Sequence, residues 1–282
     1  MSFWLKKSQL AVITFVSILA FVGCSLRSTA LKFADTIFQY QIDQAFDLND
    51  DQNKVVEPAI ADLIDWIKNN KKESIIKLLR MISSLSKKDR LDTADVEKIR
   101  IEARQLLSEV GGKLAPVFEE IIPTLSDKQL KQFSDYMTES NERFDEMLAS
   151  DEFEAERKEE LENRLENIYG DITPDQLNNT VAHTLDKKRF KAYLKQRKIS
   201  QKYCLEKLRS LRKRPSGIKV FVTNLFLYPE NLRPIEHKLE YLELRKKWNS
   251  FWVKSDSIMT KKQRIHAKEV IEDLIADIQN WD

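Results

Sequence analysis

The stretch Leu125-Ser126-Asp127-Lys128-Gln129-Leu130 contains the signal that sets helix starts along this chain. A serine followed three residues later by glutamine is typical of a capping box, in which each side chain accepts a hydrogen bond from the other residue's backbone amide. Leu125 and Leu130 flank the box as a hydrophobic staple. The same arrangement recurs in Asn49-Asp50-Asp51-Gln52, Thr173-Pro174-Asp175-Gln176 and Thr260-Lys261-Lys262-Gln263. Four helix starts are therefore predicted, and their unequal spacing excludes a solenoid repeat.

Helical periodicity fills the sequence between these starts. Apolar residues recur every three or four positions, as in the stripe formed by Leu130, Phe133, Met137, Phe144 and Leu148. The 282 residues include only 5 glycines, and 33% are charged, a composition that favours helices over hairpin-connected strands. We predict an all-α protein, an elongated multi-helix bundle of about ten to twelve helices.

Three features predict where helices break or are ambiguous. Gly111-Gly112 should end a helix that runs from Val96 to Val110. Pro58 should kink or interrupt the helix that it occupies, because proline lacks the amide that the helix needs. Residues 218–228 are almost all apolar and rich in β-branched and aromatic types. We interpret them as a buried helix rather than a strand, because the sequence contains no evident partner strand.

The N-terminus has the pattern of a lipoprotein signal peptide. Lys6 and Lys7 precede an apolar run from Leu10 to Val22, which is shorter than the roughly twenty residues that a membrane-spanning helix needs. Gly23 then stands directly before Cys24, and a small residue before a cysteine is the pattern that signal peptidase II cleaves. We expect residues 1–23 to be the signal peptide and residues 24–282 to form a single α-helical lipoprotein domain. Cys24 would carry the lipid anchor, including an acyl chain such as palmitate on its amine.

Two alternatives stay open for this segment: an ordinary secretory signal with a coincidental cysteine, and an uncleaved signal anchor. Ser25, rather than an aspartate, follows Cys24. In a Gram-negative cell this residue indicates sorting to the outer membrane. The expected location is therefore the cell envelope, with the chain lipid-anchored at the outer membrane and facing the periplasm.

The capping boxes also carry a family resemblance. Residues Phe46 to Gln52 follow soon after the expected lipidated cysteine, Leu125 to Leu130 lead to Asn141-Glu142-Arg143-Phe144, and Tyr169-Gly170 precede the box at Thr173. These motifs resemble an uncharacterised bacterial lipoprotein family, domain of unknown function 6279, over essentially the whole mature chain from Phe33 onward. The resemblance implies a helical lipoprotein and no known activity. It therefore assigns no functional residue beyond Cys24.

The residue types that carry chemistry form no recognisable constellation in the sequence. His183, His237 and His266 lie far apart, without the paired spacing of a zinc-binding helix. Cys204, on the apolar face of a basic helix, is interpreted as a small buried hydrophobic residue rather than a nucleophile. There is no glycine-rich phosphate loop and no nucleophile-elbow serine. We predict that the protein is not an enzyme and uses no cofactor and no metal.

Two patterns have both a structural and a functional interpretation. Tyr241, Trp248 and Trp252 share one helical face, with Phe251 beside it, and could pack in the core or line a partner groove. Charge is also segregated: residues 139–166 contain 12 acids and 4 bases, whereas residues 187–214 contain 13 bases and 1 acid. These two runs could neutralise each other within the fold, or the basic run could bind a partner.

Overall charge limits the range of partners. Without the two lysines of the signal peptide, the 47 basic residues fall to 45 and equal the 45 acidic residues, so nucleic acid is not expected as a partner. We expect an outer-membrane-anchored helical lipoprotein that binds a protein partner as an envelope adaptor or structural component. The alternative is a periplasmic chaperone or carrier for an apolar client or lipid.

Overall fold

The computed structural model describes residues 33–85, 88, 90–181 and 187–281. These residues form eleven α-helices, three short 3₁₀ turns and no strand, which confirms the predicted all-α class. Residues 1–32, with the expected signal peptide and Cys24, lie outside the described residues. The helices are α1 Ala34–Phe46, α2 Asp50–Asn70, α3 Lys72–Leu85, α4 Thr93–Ile121, α5 Asp127–Ala149, α6 Phe153–Tyr169, α7 Pro174–Val181, α8 Lys187–Lys213, α9 Ile218–Phe226, α10 Ile235–Ser257 and α11 Lys261–Gln279.

All four predicted capping boxes form, and they come together in two pairs. The first pair joins the starts of α2 and α5 through Gln52 and Gln129, which are 77 residues apart and both buried. Gln52 Nε2 donates to Gln129 Oε1 at 3.3 Å, and Gln129 Nε2 donates back to Gln52 Oε1. Each amide also donates to a backbone carbonyl two residues before the partner's cap: Gln129 to Asp47 and Gln52 to Thr124. We call this pair the first clasp.

The second clasp repeats this geometry at the starts of α7 and α11. Gln176 Nε2 donates to Gln263 Oε1 at 2.7 Å, and Gln263 Nε2 donates to Gln176 Oε1 at 3.0 Å. The backbone acceptors again precede the caps by two residues, because Gln263 donates to Asp171 O and Gln176 to Ile258 O. Each glutamine thus completes the capping box of its own helix through its Oε1 and binds a distant helix start through its Nε2.

Apolar side chains on the inner faces of these helices form the core in several clusters. One cluster joins α1, α2 and α4 and includes Phe38, Ile60 and Leu63, with Trp281 from the C-terminal end. A second joins α4, α5, α8 and α9. A third, around Leu165 and Leu177, surrounds the second clasp. No helix among the described residues is both long enough and apolar enough to span a membrane.

The structure corrects the predicted helix end at Gly111-Gly112 and excludes an interruption at Pro58. Helix α4 continues through Gly111-Gly112 to Ile121, and Gly111 serves packing rather than termination. A Cβ at Gly111 would lie 3.0 Å from the Phe226 ring of α9, so the missing side chain lets α9 approach α4 closely. Helix α2 likewise runs through Pro58 without interruption. Residues 218–226 are helical, as predicted, whereas residues 227 and 228 lie beyond the end of α9; Ile218 and Val222 are fully buried, but Val220 is 64% exposed.

Candidate functional site

Helix α8 has one face in the core and one face in solvent. Leu194, Leu205, Leu208 and Leu211 are buried, and the last three pack with α5 and α9. Leu205, Leu208 and Leu211 are three residues apart, and Leu194 precedes Leu205 by eleven residues, or about three turns, so all four lie towards one side of a helix with 3.6 residues per turn. The side of α8 next to Leu194 and Leu205 is exposed to solvent.

Those exposed positions carry a row of positive charges, which we call the basic face. Its members recur at the same three- or four-residue spacing, interrupted only by Glu206. From Lys191 to Lys213, at about 1.5 Å of rise per residue, the row extends along roughly 33 Å of the helix. The exposed members are Lys191, Lys195, Lys198, Lys202, Arg209 and Lys213.

Few of these charges are neutralised. Lys198 Nζ lies 2.6 Å from Asp145 Oδ2, and Lys195 Nζ lies 3.5 Å from Glu240 Oε2. Within the described part of the chain, Lys191, Lys202 and Arg209 have no acidic group within ion-pair distance. Exposed pairs of this kind contribute only about 0–1 kcal/mol each, so the basic face can exchange its present partners at little cost.

An open groove of about 680 Å³ lies beside the basic face, between α5, α8 and α10. Leu148 and Leu194 lie at its base and are almost fully buried, with Ala149 and Ile199 beside them. Lys191, Lys195 and Lys198 line the same groove, together with Asp145 and the imidazole of His237. It therefore combines an apolar base with a row of ammonium groups along one side.

The two oppositely charged runs meet only in part. Helix α5 packs antiparallel to α8, which brings Asp145 to Lys198. Half of the twelve acids of the run lie on α6, which packs against α7 and α11 instead. There Glu160 forms ion pairs with Arg157 and Arg164 of its own helix. The interpretation of mutual neutralisation is therefore supported at one ion pair, Lys198–Asp145, among the described residues.

One base of the run, Arg197, points into the protein rather than into solvent. Its Nε donates to Asn141 Oδ1 at 3.0 Å and its Nη2 to Ser140 Oγ at 2.9 Å. The guanidinium also lies 4.8 Å from the centre of the Phe144 ring, a cation–π contact. Burial lowers the pKa of Arg197, yet arginine stays charged in proteins. Arg197 therefore holds α8 against α5 and does not belong to the basic face.

The histidines and cysteines singled out in the sequence are not brought together. Cys24 and His183 lie outside the described residues, and His237 and His266 each face a glutamate of the same helix, at 3.8 Å. Within the residues that the structure describes, no three metal-ligand side chains gather. Cys204 is half-buried against the cluster of α5, α8 and α9. Burial raises the pKa of its thiol to about 11, which fits a packing residue rather than a nucleophile.

The aromatic face on α10 is divided between core and surface. Phe251 is buried and packs edge-on against Trp248, whereas Trp248 itself is 46% exposed. Tyr241 stacks under the guanidinium of Arg233 at 3.7 Å. Core packing therefore explains Phe251 and Tyr241 but not Trp248.

Comparison with known proteins places the chain in a family. The sequence matches the model of a family of unknown function, DUF6279, over residues 44–238, more than half of the chain. The chain belongs to DUF6279. No curated protein and no solved structure matches it. In this DUF6279 member the matched range contains the first clasp, the basic face and the groove, whereas Gln263 and α11 lie beyond it.

The sequence pointed to part of this surface. Lys195, Lys198 and Lys202 belong to a run that charge counting identified. The groove was missed, because its apolar base joins Leu148 and Leu194 from helices far apart in sequence. The three- or four-residue spacing of the lysines was the one local signal that could have separated the exposed bases from Arg197.

Proposed function

We propose that this protein is an envelope adaptor, lipid-anchored through Cys24 at the outer membrane and facing the periplasm. In this role the basic face of α8 binds an acidic surface of a protein partner, without catalysis, metal, cofactor or nucleic acid. The observation that carries the proposal is the row of exposed cations from Lys191 to Lys213, of which only Lys195 and Lys198 form an ion pair among the described residues.

Two properties of α8 support a binding role. The row is rigid, because the adjacent face of the helix is buried and Arg197 is bonded to α5. Complementary charge also steers encounters and selects partners, even where it adds little to affinity. A fixed row of cations therefore favours an acidic partner surface over a neutral one.

Photo-crosslinking in living cells tests the binding role. A photoreactive amino acid placed at Lys202 or Arg209 should yield discrete crosslinked bands, identified by mass spectrometry. Lys77 and Arg80 of α3 provide matched controls, because they are also exposed basic residues near the middle of a helix. Equal crosslinking at the α3 positions, or none at Lys202 and Arg209, would refute an adaptor that works through α8.

Metabolic labelling tests the anchor separately. An alkyne fatty acid should label the wild-type protein and leave Cys24→Ala unlabelled, because Cys24 is the proposed acceptor of the acyl chains. Labelling that persists in Cys24→Ala, or a wild type that is never labelled, would remove the anchor from the proposal.

One observation favours a second candidate function, a carrier for a lipid or apolar client. The groove beside α8 has an apolar base, and its volume of about 680 Å³ is in the range of small-molecule sites. Lipid extraction of the purified protein followed by mass spectrometry distinguishes the two. A stoichiometric bound lipid would favour the carrier.

A further inference from the structure

We infer that the groove between α5, α8 and α10 binds an acidic amphipathic helix of the partner, laid along α8. The inference rests on the proposed function, since it names the part of the partner that meets the basic face. It requires a groove with an apolar base, a row of cations at helical spacing, and local contacts weak enough to be replaced. The described residues provide all three.

The base of the groove fits the apolar side of a helix. Leu148 and Leu194 are 6% and 4% exposed and belong to one packed cluster with Phe153, so the base is preformed. Ile199 and Ala149 extend it along the groove. Helix-in-groove recognition uses such a surface to take apolar residues at positions i, i+3, i+4 and i+7 of the bound helix.

The lysines set the charge pattern of the bound helix. Lys191, Lys195, Lys198 and Lys202 are separated by four, three and four residues, so their side chains form a nearly straight row about 16 Å long. Carboxylates at positions i, i+4, i+7 and i+11 of a second helix form a row with the same rise. A helix lying parallel or antiparallel to α8 can therefore match four lysines with four carboxylates.

The ion pairs now present at the groove would not prevent this exchange. In the pair between Lys198 and Asp145, the two side chains are 43% and 51% exposed, and an exposed pair is worth about 0–1 kcal/mol. Glu240, the acid nearest Lys195, also accepts a hydrogen bond from Gln196 at 2.7 Å. Glu240 thus keeps a partner when Lys195 turns towards another carboxylate.

The shape of the groove distinguishes a helix from a lipid. The groove is open to solvent along its side rather than enclosed, so an acyl chain placed in it would remain partly in water. A helix covers the opening with its own polar face. The apolar base also argues against a nucleic acid as the ligand, because a phosphate backbone is recognised by charge and hydrogen bonds.

A designed peptide tests the inference on the full-length protein purified in detergent. The labelled peptide is a helix of about eighteen residues with four glutamates at the 4-3-4 spacing and leucines on the adjacent face. A second peptide has the same composition in scrambled order. Fluorescence anisotropy should show binding of the patterned peptide and at least about tenfold weaker binding of the scrambled one.

Protein variants locate the site. Lys191→Glu/Lys195→Glu should weaken binding of the patterned peptide by about tenfold or more, and the effect should shrink as salt rises. Lys77→Glu/Arg80→Glu makes the same charge change on α3 and should leave binding unchanged. Equal binding of the two peptides, or no effect of the α8 variant, would overturn the inference.

Competition identifies other occupants. An excess of the Lys191→Glu/Lys195→Glu variant, which should itself bind the peptide only weakly, should not displace the peptide from the wild-type protein, and neither should anionic phospholipid added in detergent micelles. Displacement by the variant would make the occupant a second copy, and displacement by the phospholipid would make it a lipid surface; either result refutes a partner helix. If the peptides fail while crosslinks at Lys202 and Arg209 persist, the adaptor proposal stands and only the helix-in-groove inference falls.

Discussion

Replacing Gln129 with glutamate separates the two hydrogen-bonding roles of this side chain. As the third residue of α5, Gln129 uses Oε1 to accept from the backbone amide of Ser126 at 2.9 Å. As part of the first clasp, it uses Nε2 to donate to Asp47 O at 3.1 Å and to Gln52 Oε1. A carboxylate still accepts from Ser126 and completes an ordinary capping box. It has no hydrogen to donate, so the two hydrogen bonds from Nε2 are lost, whereas the bond accepted from Gln52 Nε2 can remain.

The cost follows from these bonds. Two buried hydrogen bonds are worth about 1 kcal/mol each, and the new charge faces two oxygen atoms at a position only 5% exposed. The positive end of the α5 dipole stabilises a negative charge near the helix start by about 0.3–1 kcal/mol, which offsets part of this loss. We expect Gln129→Glu to lower the free energy of unfolding at pH 7 by about 2–3 kcal/mol. For a domain of this size that change lowers the Tm by roughly 4–12 °C.

The pH dependence has a definite sign. The buried site disfavours the charged form, so the pKa of the introduced carboxyl is higher in the folded protein than in the unfolded chain. The deficit relative to wild type should therefore be small below about pH 4, where the carboxyl is protonated in both states and can donate one hydrogen bond. It should grow as pH rises from the unfolded pKa, about 4.3, through the folded pKa.

Urea unfolding of wild type and variant between pH 4 and pH 8 measures this deficit. Gln132→Glu, on the exposed surface one turn later in α5, adds the same charge and should change stability by no more than about 0.5 kcal/mol. Gln176→Glu changes the half-buried position of the second clasp. It should lower the free energy of unfolding by less than Gln129→Glu does, because water can solvate the new carboxylate there. If Gln129→Glu lowers the free energy of unfolding no more than Gln132→Glu does, or by an amount independent of pH, the clasp does not stabilise the fold.

Two further predictions concern α8. Arg197→Glu should lower the free energy of unfolding by about 3–5 kcal/mol in urea titrations, because it reverses a buried charge bonded to Ser140 and Asn141. Lys202→Glu makes the same charge change in solvent and should lower the free energy of unfolding by about 0.5 kcal/mol or less. Similar decreases for the two variants would contradict the inward position of Arg197. Burial raises the pKa of the Cys204 thiol to about 11, so Cys204 should react slowly with thiol reagents at pH 8. The reaction rate should rise about tenfold for each pH unit above that, and the reaction should be rapid in denaturant. Fast labelling of the native protein would place this thiol in solvent.

Local hydrogen bonding explains why so much of the fold could be predicted. A capping box links residues three positions apart, so the four boxes predict the starts of α2, α5, α7 and α11 from local sequence alone. The apolar spacing of α5 places Leu130 and Leu148 in the core, where the structure finds them. Glycine was less informative: Gly111 looked like a helix end, but its role is a close contact with Phe226 from far along the chain.

The sequence by itself determined the helical class, the helix starts and the concentration of positive charge in α8, because each depends on residues within a few turns of one another. Only the tertiary structure decided which helix starts meet, since the amide donors of Gln52 and Gln176 find acceptors 77 and 87 residues away. It also decided that Arg197 is bonded inside while Lys198 faces solvent, and that Leu148 and Leu194 share the base of one groove. These outcomes depend on how α5, α8 and α10 pack, and no local pattern encodes the position of a neighbour that the chain reaches only after folding.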